Sequence, residues 1–172
     1  LRPKSNVFDI GAYTGDTIES FINISNISTI FAFEPEYHNY QDIVQKFSTN
    51  KKVIPLNYII SNKVDSLYIS NAGAESKVSV KKQEGSRIIE SISIDRFCEE
   101  NNVLPHYIKL DVEGFEKKVL KGGKKIIANQ KPIIAVSIYH NASDLWTIPQ
   151  LMFNLNSHYK MQLKHHSYNI CD

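Results

Sequence analysis

The chain has 172 residues, of which 42% are hydrophobic and 22% are charged, and its formal net charge is +2. This length fits one domain with its own core, and the composition excludes a disordered, collagen-like or coiled-coil chain. No stripe of Lys and Arg alternates with aromatic residues, so there is no electrostatic case for a nucleic-acid partner.

The first part of the chain predicts alternating strands and helices. Val7, Phe8 and Ile10 form a β-branched and aromatic run that ends at Gly11, which is typical of a buried strand before a tight turn. A second apolar run stops at Pro35, because proline cannot donate to a sheet ladder. The predicted elements here are a strand at 7–10, a helix at 16–24, a strand at 29–33, a helix at 37–47 and a strand at 53–60.

The polar stretch 61–90 interrupts this alternation. Short alternating pieces at 66–70 and 77–80 favour an inserted hairpin. After it, Ser93 and Asp95 are candidate N-caps for a short helix. The chain continues with a predicted helix at 95–100, strand at 107–111, helix at 115–127, strand at 133–139, helix at 144–155 and strand at 159–164.

Strands and helices that alternate at this interval imply right-handed crossovers and a mainly parallel sheet covered on both faces. The predicted fold class is therefore doubly wound α/β. No repeat or linker divides the chain, which opens at Leu1 and not at Met, and one more edge strand could follow its last residue. We expect a single domain over residues 1–172 that is truncated at one or both ends.

The spacing of the cysteines and the lengths of the apolar runs predict a cytoplasmic domain. Cys98 and Cys171 lack C-x-x-C spacing, which argues against a disulfide framework and against a zinc site. No apolar run approaches the roughly 20 residues that span a bilayer. We therefore expect no membrane span.

Polar residues or glycines follow four predicted strands, at 9–16, 34–35, 111–116 and 139–141. In open parallel sheets, ligands bind beyond the carboxyl ends of the strands. These four segments are therefore the candidate functional positions.

The first of these segments predicts the kind of cofactor. Gly11 and Gly15 give G-x-x-x-G spacing, unlike the G-x-G-x-x-G turn that holds a dinucleotide pyrophosphate. Glycine allows a positive φ and lets a ligand approach backbone amides. The charge of Asp9 favours a cationic or zwitterionic ligand such as S-adenosylmethionine, and Glu34, 25 residues later, can accept hydrogen bonds from ribose hydroxyls. In the alternative interpretation, both glycines only close the turn and Glu34 is solvated.

The runs 7–17, 33–35 and 108–123 resemble the FkbM family of methyltransferases, and 93–97 and 138–140 match it in order and spacing. The resemblance covers nearly the whole chain, and residues 107–123 are its most diagnostic part. It implies a Rossmann-like class I methyltransferase fold, S-adenosylmethionine as donor, and O-methylation of a sugar, glycan or natural-product acceptor. Compared with the pattern that the resemblance implies, we expect the segment before the first strand and the last strand to lie outside this sequence.

Methyl transfer to a hydroxyl needs a positioned acceptor and benefits from a base. Asp111 is the first candidate for that role and His140 the second, while Glu113 and Glu116 could contact the acceptor. Alternatively, Asp111 caps the following helix, Glu116 faces solvent or pairs with a lysine, and His140 is a buried hydrogen-bonded side chain. A metal site formed by Asp111, Glu113 and His140 is conceivable, but the spacing does not establish one, and we assign no metal ligand.

The candidate cofactor contacts lie in or next to the same strand-end segments. Tyr13 and Phe115 could flank the cofactor or acceptor, whereas Trp146 and Phe153 are expected in the core. The expected cofactor-binding residues are Asp9, Gly11, Ala12, Tyr13, Gly15, Asp16, Thr17, Glu34, Pro35 and Asp111.

Two other functions compete with an S-adenosylmethionine-dependent O-methyltransferase. A nicotinamide-dependent oxidoreductase would share the sheet, but it should show the G-x-G-x-x-G turn. A non-catalytic cofactor-binding or assembly module would fit an excised domain that works beside an adjoining domain in a longer chain. The polar strand ends argue against this second alternative, because they bring no evident stability. The expected partner is a small-molecule or saccharide acceptor.

Overall fold

The computed structural model describes residues 4–69, 78–79, 82 and 84–164. A five-stranded parallel sheet lies at its centre, in the order β3-β2-β1-β8-β9. Its strands are β1 (Ser5–Ile10), β2 (Ile27–Phe33), β3 (Val53–Leu56), β8 (Tyr107–Leu110) and β9 (Ile133–Val136). From β1 the chain adds β2 and then β3 on one side, and it later adds β8 and β9 on the other side of β1. This arrangement confirms the predicted doubly wound parallel sheet.

Helices cover this sheet and follow the predicted order. They are α1 (Asp16–Ile22), α2 (Tyr37–Lys46), α3 (Ile94–Asn101), α4 (Glu116–Gly122), α5 (Lys124–Gln130) and α6 (Asp144–Leu155). On one face of the sheet Phe8, Phe31, Phe33 and Phe97 pack edge to face. None of the described helices combines the length and apolarity needed to cross a bilayer.

The predicted helix at 115–127 is two helices, because a pair of glycines interrupts it. A Cβ on Gly122 would lie 2.0 Å from the carbonyl oxygen of Ser61, and one on Gly123 would lie 3.0 Å from Ile94. Glycine is a poor helix former, and here it permits close packing against two neighbouring segments. Ser93 is the N-cap of α3, since its hydroxyl accepts a hydrogen bond from Arg96 N.

A second, four-stranded sheet has the order β4-β7-β5-β6, with β4 (Ile59–Ser61), β5 (Asp65–Ile69), β6 (Val78–Ser79) and β7 (Arg87–Ser93). The pairing of β5 with β6 is antiparallel, as the hairpin prediction requires, although residues 70, 77 and 80 lie outside the described part. The prediction of one strand at 53–60 was wrong. The chain leaves the first sheet after Leu56, where the Asn57 amide donates to the carbonyls of Glu34 and Pro35.

Two predictions near the end of the described chain were wrong. Residues 159–164 form no strand. Trp146 and Phe153 are not in the core, because each is more than half exposed. The buried face of α6 instead carries Asp144, Ile148 and Met152, which recur at intervals of four.

Candidate active site

A cleft of about 400 Å³ opens beyond the carboxyl ends of β1, β2 and β8. Its apolar wall comes from the second sheet through Ile59, Ile60 and Ile69, and its polar side comes from the ends of the parallel strands. Of the residues predicted from the sequence, the cleft is lined by Gly11, Tyr13, Asp16, Thr17, Glu34, Pro35, Asp111 and Glu113. Asp9, Ala12, Gly15 and His140 are not among its lining residues.

The glycines of the first turn accommodate the protein's own packing. Gly11 has a φ of +80°, and a Cβ there would lie 1.8 Å from the carbonyl oxygen of Asp111. A Cβ on Gly15 would lie 2.4 Å from the ring of Phe47. The N–H groups of Gly11 and Ala12 both donate to the carbonyl of Phe33. The N–H group of Gly15 donates to the carbonyl of Ala12, so neither glycine leaves its own amide free for a ligand.

Asp9 lies beneath this turn and is fully buried. Lys109, its register partner on β8, places Nζ 3.2 Å from Asp9 Oδ1 and also donates to the carbonyl of Gly11. Burial raises the pKa of Asp9 to about 6, and the nearby Lys109 opposes that rise. Sequence reasoning missed Lys109, although a lysine inside a buried strand needs an acidic partner, and Asp9 was available on another predicted strand.

Glu34 is buried at the end of β2, so the alternative in which it is solvated was wrong. Its Oε2 accepts a hydrogen bond from Tyr13 N at 2.9 Å, and its Oε1 accepts one from Glu36 N at 2.8 Å. Burial raises its pKa to about 7, even though both backbone bonds favour the charged form. Arg87 fixes the following residue by donating to the Pro35 carbonyl.

On the other side of β1, Asp111 follows β8 and lines the cleft. The hydroxyl of Tyr139 donates to its carboxylate, at 3.2 Å from Oδ1 and 3.3 Å from Oδ2. The N-cap of α4 is Phe115, with no side-chain cap, so Asp111 does not have the capping role considered above. Phe115 lines the cleft, and Lys118 Nζ lies 3.8 Å from its ring centroid.

Glu116 and His140 lie behind Asp111. Glu116 is fully buried and accepts hydrogen bonds from Val112 N and Gly114 N, each at 3.2 Å, so the solvent-facing interpretation was wrong. Its Oε1 is 3.0 Å from His140 Nδ1. His140 Nε2 is 3.3 Å from Glu113 Oε2 and 3.5 Å from Asp111 Oδ1. The imidazole is therefore surrounded by three carboxylates.

Asp144 secures the loop that carries His140. This buried carboxylate accepts a hydrogen bond from the side-chain amide of Asn141 at 3.1 Å and forms an ion pair with Lys117 at 2.9 Å. Sequence reasoning placed Tyr139 in a candidate strand-end segment without giving it a role, and it did not single out Asp144. The position of Asp144 at the start of a predicted helix was the one available signal, because an acid in the first turn complements the helix dipole.

Residues 9–170 match the family model of the methyltransferase FkbM domain. The chain belongs to the FkbM methyltransferase family. The resemblance drawn from the strand-end motifs is thereby confirmed, over nearly the whole length of the chain.

Individual relatives agree with this family membership. Over 104 residues the chain is 35% identical to the hexuronic acid methyltransferase AglP of Haloferax volcanii, an alignment that covers 57% of this chain and 42% of AglP. A methyltransferase FkbM structure from Methylobacillus flagellatus KT superposes with a TM-score of 0.77 at 20% identity, over 97% of this chain and 41% of that one. This FkbM chain thus spans less than half the length of these two relatives.

A more distant structure shares the fold. Precorrin-6y C5,15-methyltransferase from Geobacter metallireducens GS-15 superposes with a TM-score of 0.53 at 12% identity, over 91% of this FkbM chain and 64% of that one. At this identity the likeness concerns the fold alone.

Proposed function

We propose that this chain is the catalytic domain of an S-adenosylmethionine-dependent O-methyltransferase that acts on a hydroxyl of a saccharide. The observation that carries the proposal is the cleft beyond β1, β2 and β8. It has the buried carboxylate of Glu34 on the β2 side and the carboxylates of Asp111 and Glu113 on the β8 side. The first side suits a ribose, and the second suits the proton chemistry of a hydroxyl acceptor.

The charge of the lining supports a cationic cofactor. The acidic and basic side chains among the described lining residues are the carboxylates of Asp16, Glu34, Asp111 and Glu113 and the single lysine, Lys109. That lysine is ion-paired with the buried Asp9 beneath the turn. An acid-rich cleft attracts an ammonium and a sulfonium and repels a pyrophosphate.

The hydrogen bonds of the first turn argue against a dinucleotide in the same way. A pyrophosphate is held by free backbone amides at the start of a helix. Here the amides of Gly11 and Ala12 are occupied by the carbonyl of Phe33, and the amide of Tyr13 is occupied by Glu34. The nicotinamide-dependent alternative therefore lacks both its sequence motif and its amide donors at these positions.

Glu34 has the capacity that a ribose requires. Each carboxylate oxygen accepts one backbone N–H, and an ionised carboxylate offers about four lone-pair positions in all. The side chain of Asn39 also stabilises the charged form of Glu34, and the remaining lone pairs can accept a hydrogen bond from a ribose hydroxyl. Because backbone groups fix the carboxylate, little side-chain entropy is lost on binding.

The β8 side fits the acceptor. When bound, the cofactor supplies a methyl carbon on a positively charged sulfur. Asp111 lines the cleft and can accept the hydrogen of an acceptor hydroxyl, which orients its oxygen and takes its proton as the new C–O bond forms. His140 supports this role from behind, with Nε2 at 3.5 Å from Asp111 and Nδ1 at 3.0 Å from the buried Glu116.

The saccharide part of the proposal comes from the relative AglP, which is a hexuronic acid methyltransferase and is 35% identical over 104 residues. That alignment covers 57% of this chain. A sugar hydroxyl is a weak nucleophile, and an adjacent base assists its attack.

Calorimetric titration with S-adenosylmethionine, S-adenosylhomocysteine and NAD in parallel tests the cofactor. We expect binding of the first two and none of NAD. Glu34→Ala should weaken that binding about 10- to 100-fold, because hydrogen bonds to a charged group contribute roughly 1.5–3 kcal/mol each. The conservative Glu34→Gln variant should retain part of the affinity.

The matched control is Glu19→Ala, which removes an exposed carboxylate on α1 and should bind like the wild type. Equal affinity of wild type and Glu34→Ala would refute the role of Glu34. A panel of hexuronic acids and hexoses, followed by release of S-adenosylhomocysteine, then tests turnover. Tight cofactor binding without turnover on any acceptor would instead support the non-catalytic cofactor-binding module.

A further inference from the structure

Four ionisable side chains meet where β8 and β9 end, namely Asp111, Glu113, Glu116 and His140. Among the residues that the structure describes, no Lys or Arg nitrogen lies within 4.0 Å of any of these three carboxylates. Elsewhere in the described chain, the fully buried acids Asp9 and Asp144 each have a lysine partner, and the buried Glu34 accepts two backbone N–H groups instead. Among the described residues, Glu116 is therefore the one fully buried acid without a lysine or arginine partner, although an unpaired buried carboxylate is costly.

Polar atoms inside the cluster also lack hydrogen bonds. The side chain of His140 is only 9% exposed, and Glu116 is fully buried. Within the described part of the chain, neither ring nitrogen of His140 nor Oε2 of Glu116 has a hydrogen-bond partner. The neighbouring carboxylate oxygens lie 3.0, 3.3 and 3.5 Å from the ring nitrogens without forming hydrogen bonds to them. An unsatisfied buried polar group costs about 1–3 kcal/mol, and such groups usually face a water, an ion or a ligand.

We propose that Asp111, Glu116 and His140 bind a divalent cation. One ligand atom from each residue lies within 4.8 Å of the others. Two ligands on opposite sides of an ion, at bond lengths of 2.0–2.4 Å, are about 4–4.8 Å apart, so a single ion can contact all three. Two carboxylates neutralise a divalent charge, and a ring nitrogen that makes no hydrogen bond is free to donate its lone pair.

The ligand set indicates the class of ion. Carboxylates suit Mg²⁺ and Mn²⁺, and imidazole suits first-row transition metals and Zn²⁺, so a mixed set favours Mn²⁺ or a similar ion. Glu116 is held in position by two backbone N–H groups. Such outer hydrogen bonds orient metal ligands and contribute to affinity.

The role of this ion in the reaction rests on the proposed function. Three protein ligands leave coordination positions open, and Asp111 borders the cleft. An acceptor hydroxyl bound to the ion would have a lowered pKa. With Asp111 engaged as a ligand of the ion, Glu113, which lines the cleft and is exposed, would take the proton in its place as the hydroxyl oxygen bonds to the methyl carbon and the carbon–sulfur bond breaks.

Titration of the chelator-treated protein with Mn²⁺, in the absence of cofactor and acceptor, tests the site directly. Electron paramagnetic resonance of free Mn²⁺ gives the stoichiometry, and calorimetry gives the affinity. We expect about one ion per chain. Asp111→Asn and His140→Gln should each weaken binding about 10-fold or more. Asp111 is partly exposed, so its variant should fold, which circular dichroism would verify.

Glu99→Gln is the matched control, because it removes one negative charge from an exposed position on α3 and should bind Mn²⁺ like the wild type. Absence of saturable Mn²⁺ binding, or equal affinity of wild type and Asp111→Asn, would overturn the proposed site. Failure of S-adenosylmethionine to bind would refute the proposed function without altering this result, because the titration contains no cofactor.

Discussion

The two sides of the cleft differ in how their polar atoms are hydrogen-bonded. On the β2 side, both carboxylate oxygens of Glu34 accept backbone N–H groups. On the β8 side, the described residues provide no hydrogen bond to the ring nitrogens of His140 or to Oε2 of Glu116. The first side is therefore rigid before any ligand arrives, whereas the second retains bonding capacity. This contrast suggests that cofactor binding depends mainly on Glu34. Methyl transfer would depend mainly on the cluster of Asp111, Glu113, Glu116 and His140.

The largest expected effect is on turnover, and Asp111→Asn produces it. We expect turnover with a saccharide acceptor to fall about 10²–10⁴-fold, because the substitution preserves side-chain shape but removes the carboxylate that takes the acceptor proton or, in the ion-bound site, holds the ion. The affinity for S-adenosylmethionine should stay unchanged, since Glu34 lies on the other side of β1. Release of S-adenosylhomocysteine measures the first quantity, and calorimetry measures the second.

Asp65→Asn is the control for that experiment, because it removes the same charge from an exposed position on the second sheet. If Asp111→Asn lost cofactor affinity and kept turnover, the assignment of the two sides would be reversed. Loss of both in equal proportion would mean that the two sides act as one site.

A smaller effect is expected from pH, and it should come from the Glu34 side. Burial raises the pKa of Glu34 to about 7, so the carboxyl group is mostly protonated below that pH and ionised above it. Ribose hydroxyls bind the ionised form more strongly. Affinity for S-adenosylmethionine should therefore rise about 10-fold from pH 6 to pH 8, as the ionised fraction does.

The pH dependence can be assigned by two variants. Glu34→Gln cannot ionise, so its affinity should be flat between pH 6 and pH 8. Asp9→Asn removes the other buried acid with a raised pKa, about 6, and should retain the rise. A flat wild-type profile, or a rise that persists in Glu34→Gln, would show that Glu34 is not the titrating group.

The parallel sheet could be predicted because its strands are mainly apolar runs with sharp ends. Gly11, Pro35 and Asp111 each stop such a run, and all three border the cleft. The strand β7 was missed because Ser91 occupies a buried position, where its hydroxyl donates to the carbonyls of Lys63 and Asp65. A serine that satisfies distant backbone groups breaks the apolar alternation on which strand prediction depends.

Part of the candidate site could also be predicted, because some of its residues come directly after predicted strands. Glu34 and Asp111 follow strands directly, so topology alone brings them to one edge of the sheet. The burial of Glu116 depends on two backbone amides and on His140, which follows 24 residues later in the sequence, and no local pattern reveals such contacts. Trp146 was assigned to the core because an apolar helix does not show which face will be covered.

The smallest expected effect concerns Tyr139, which contacts Asp111 from the exposed rim. Its hydroxyl donates to Asp111 at 3.2 and 3.3 Å, and the side chain is largely solvent-accessible. Such a bond contributes about 1 kcal/mol, so Tyr139→Phe should lower turnover about 5-fold and leave cofactor affinity unchanged. A loss as large as that of Asp111→Asn would mean that the hydroxyl itself contacts the acceptor. No loss of turnover would mean that Tyr139 is not needed to orient the Asp111 carboxylate. His140, its other neighbour, would then be the residue that holds it in place.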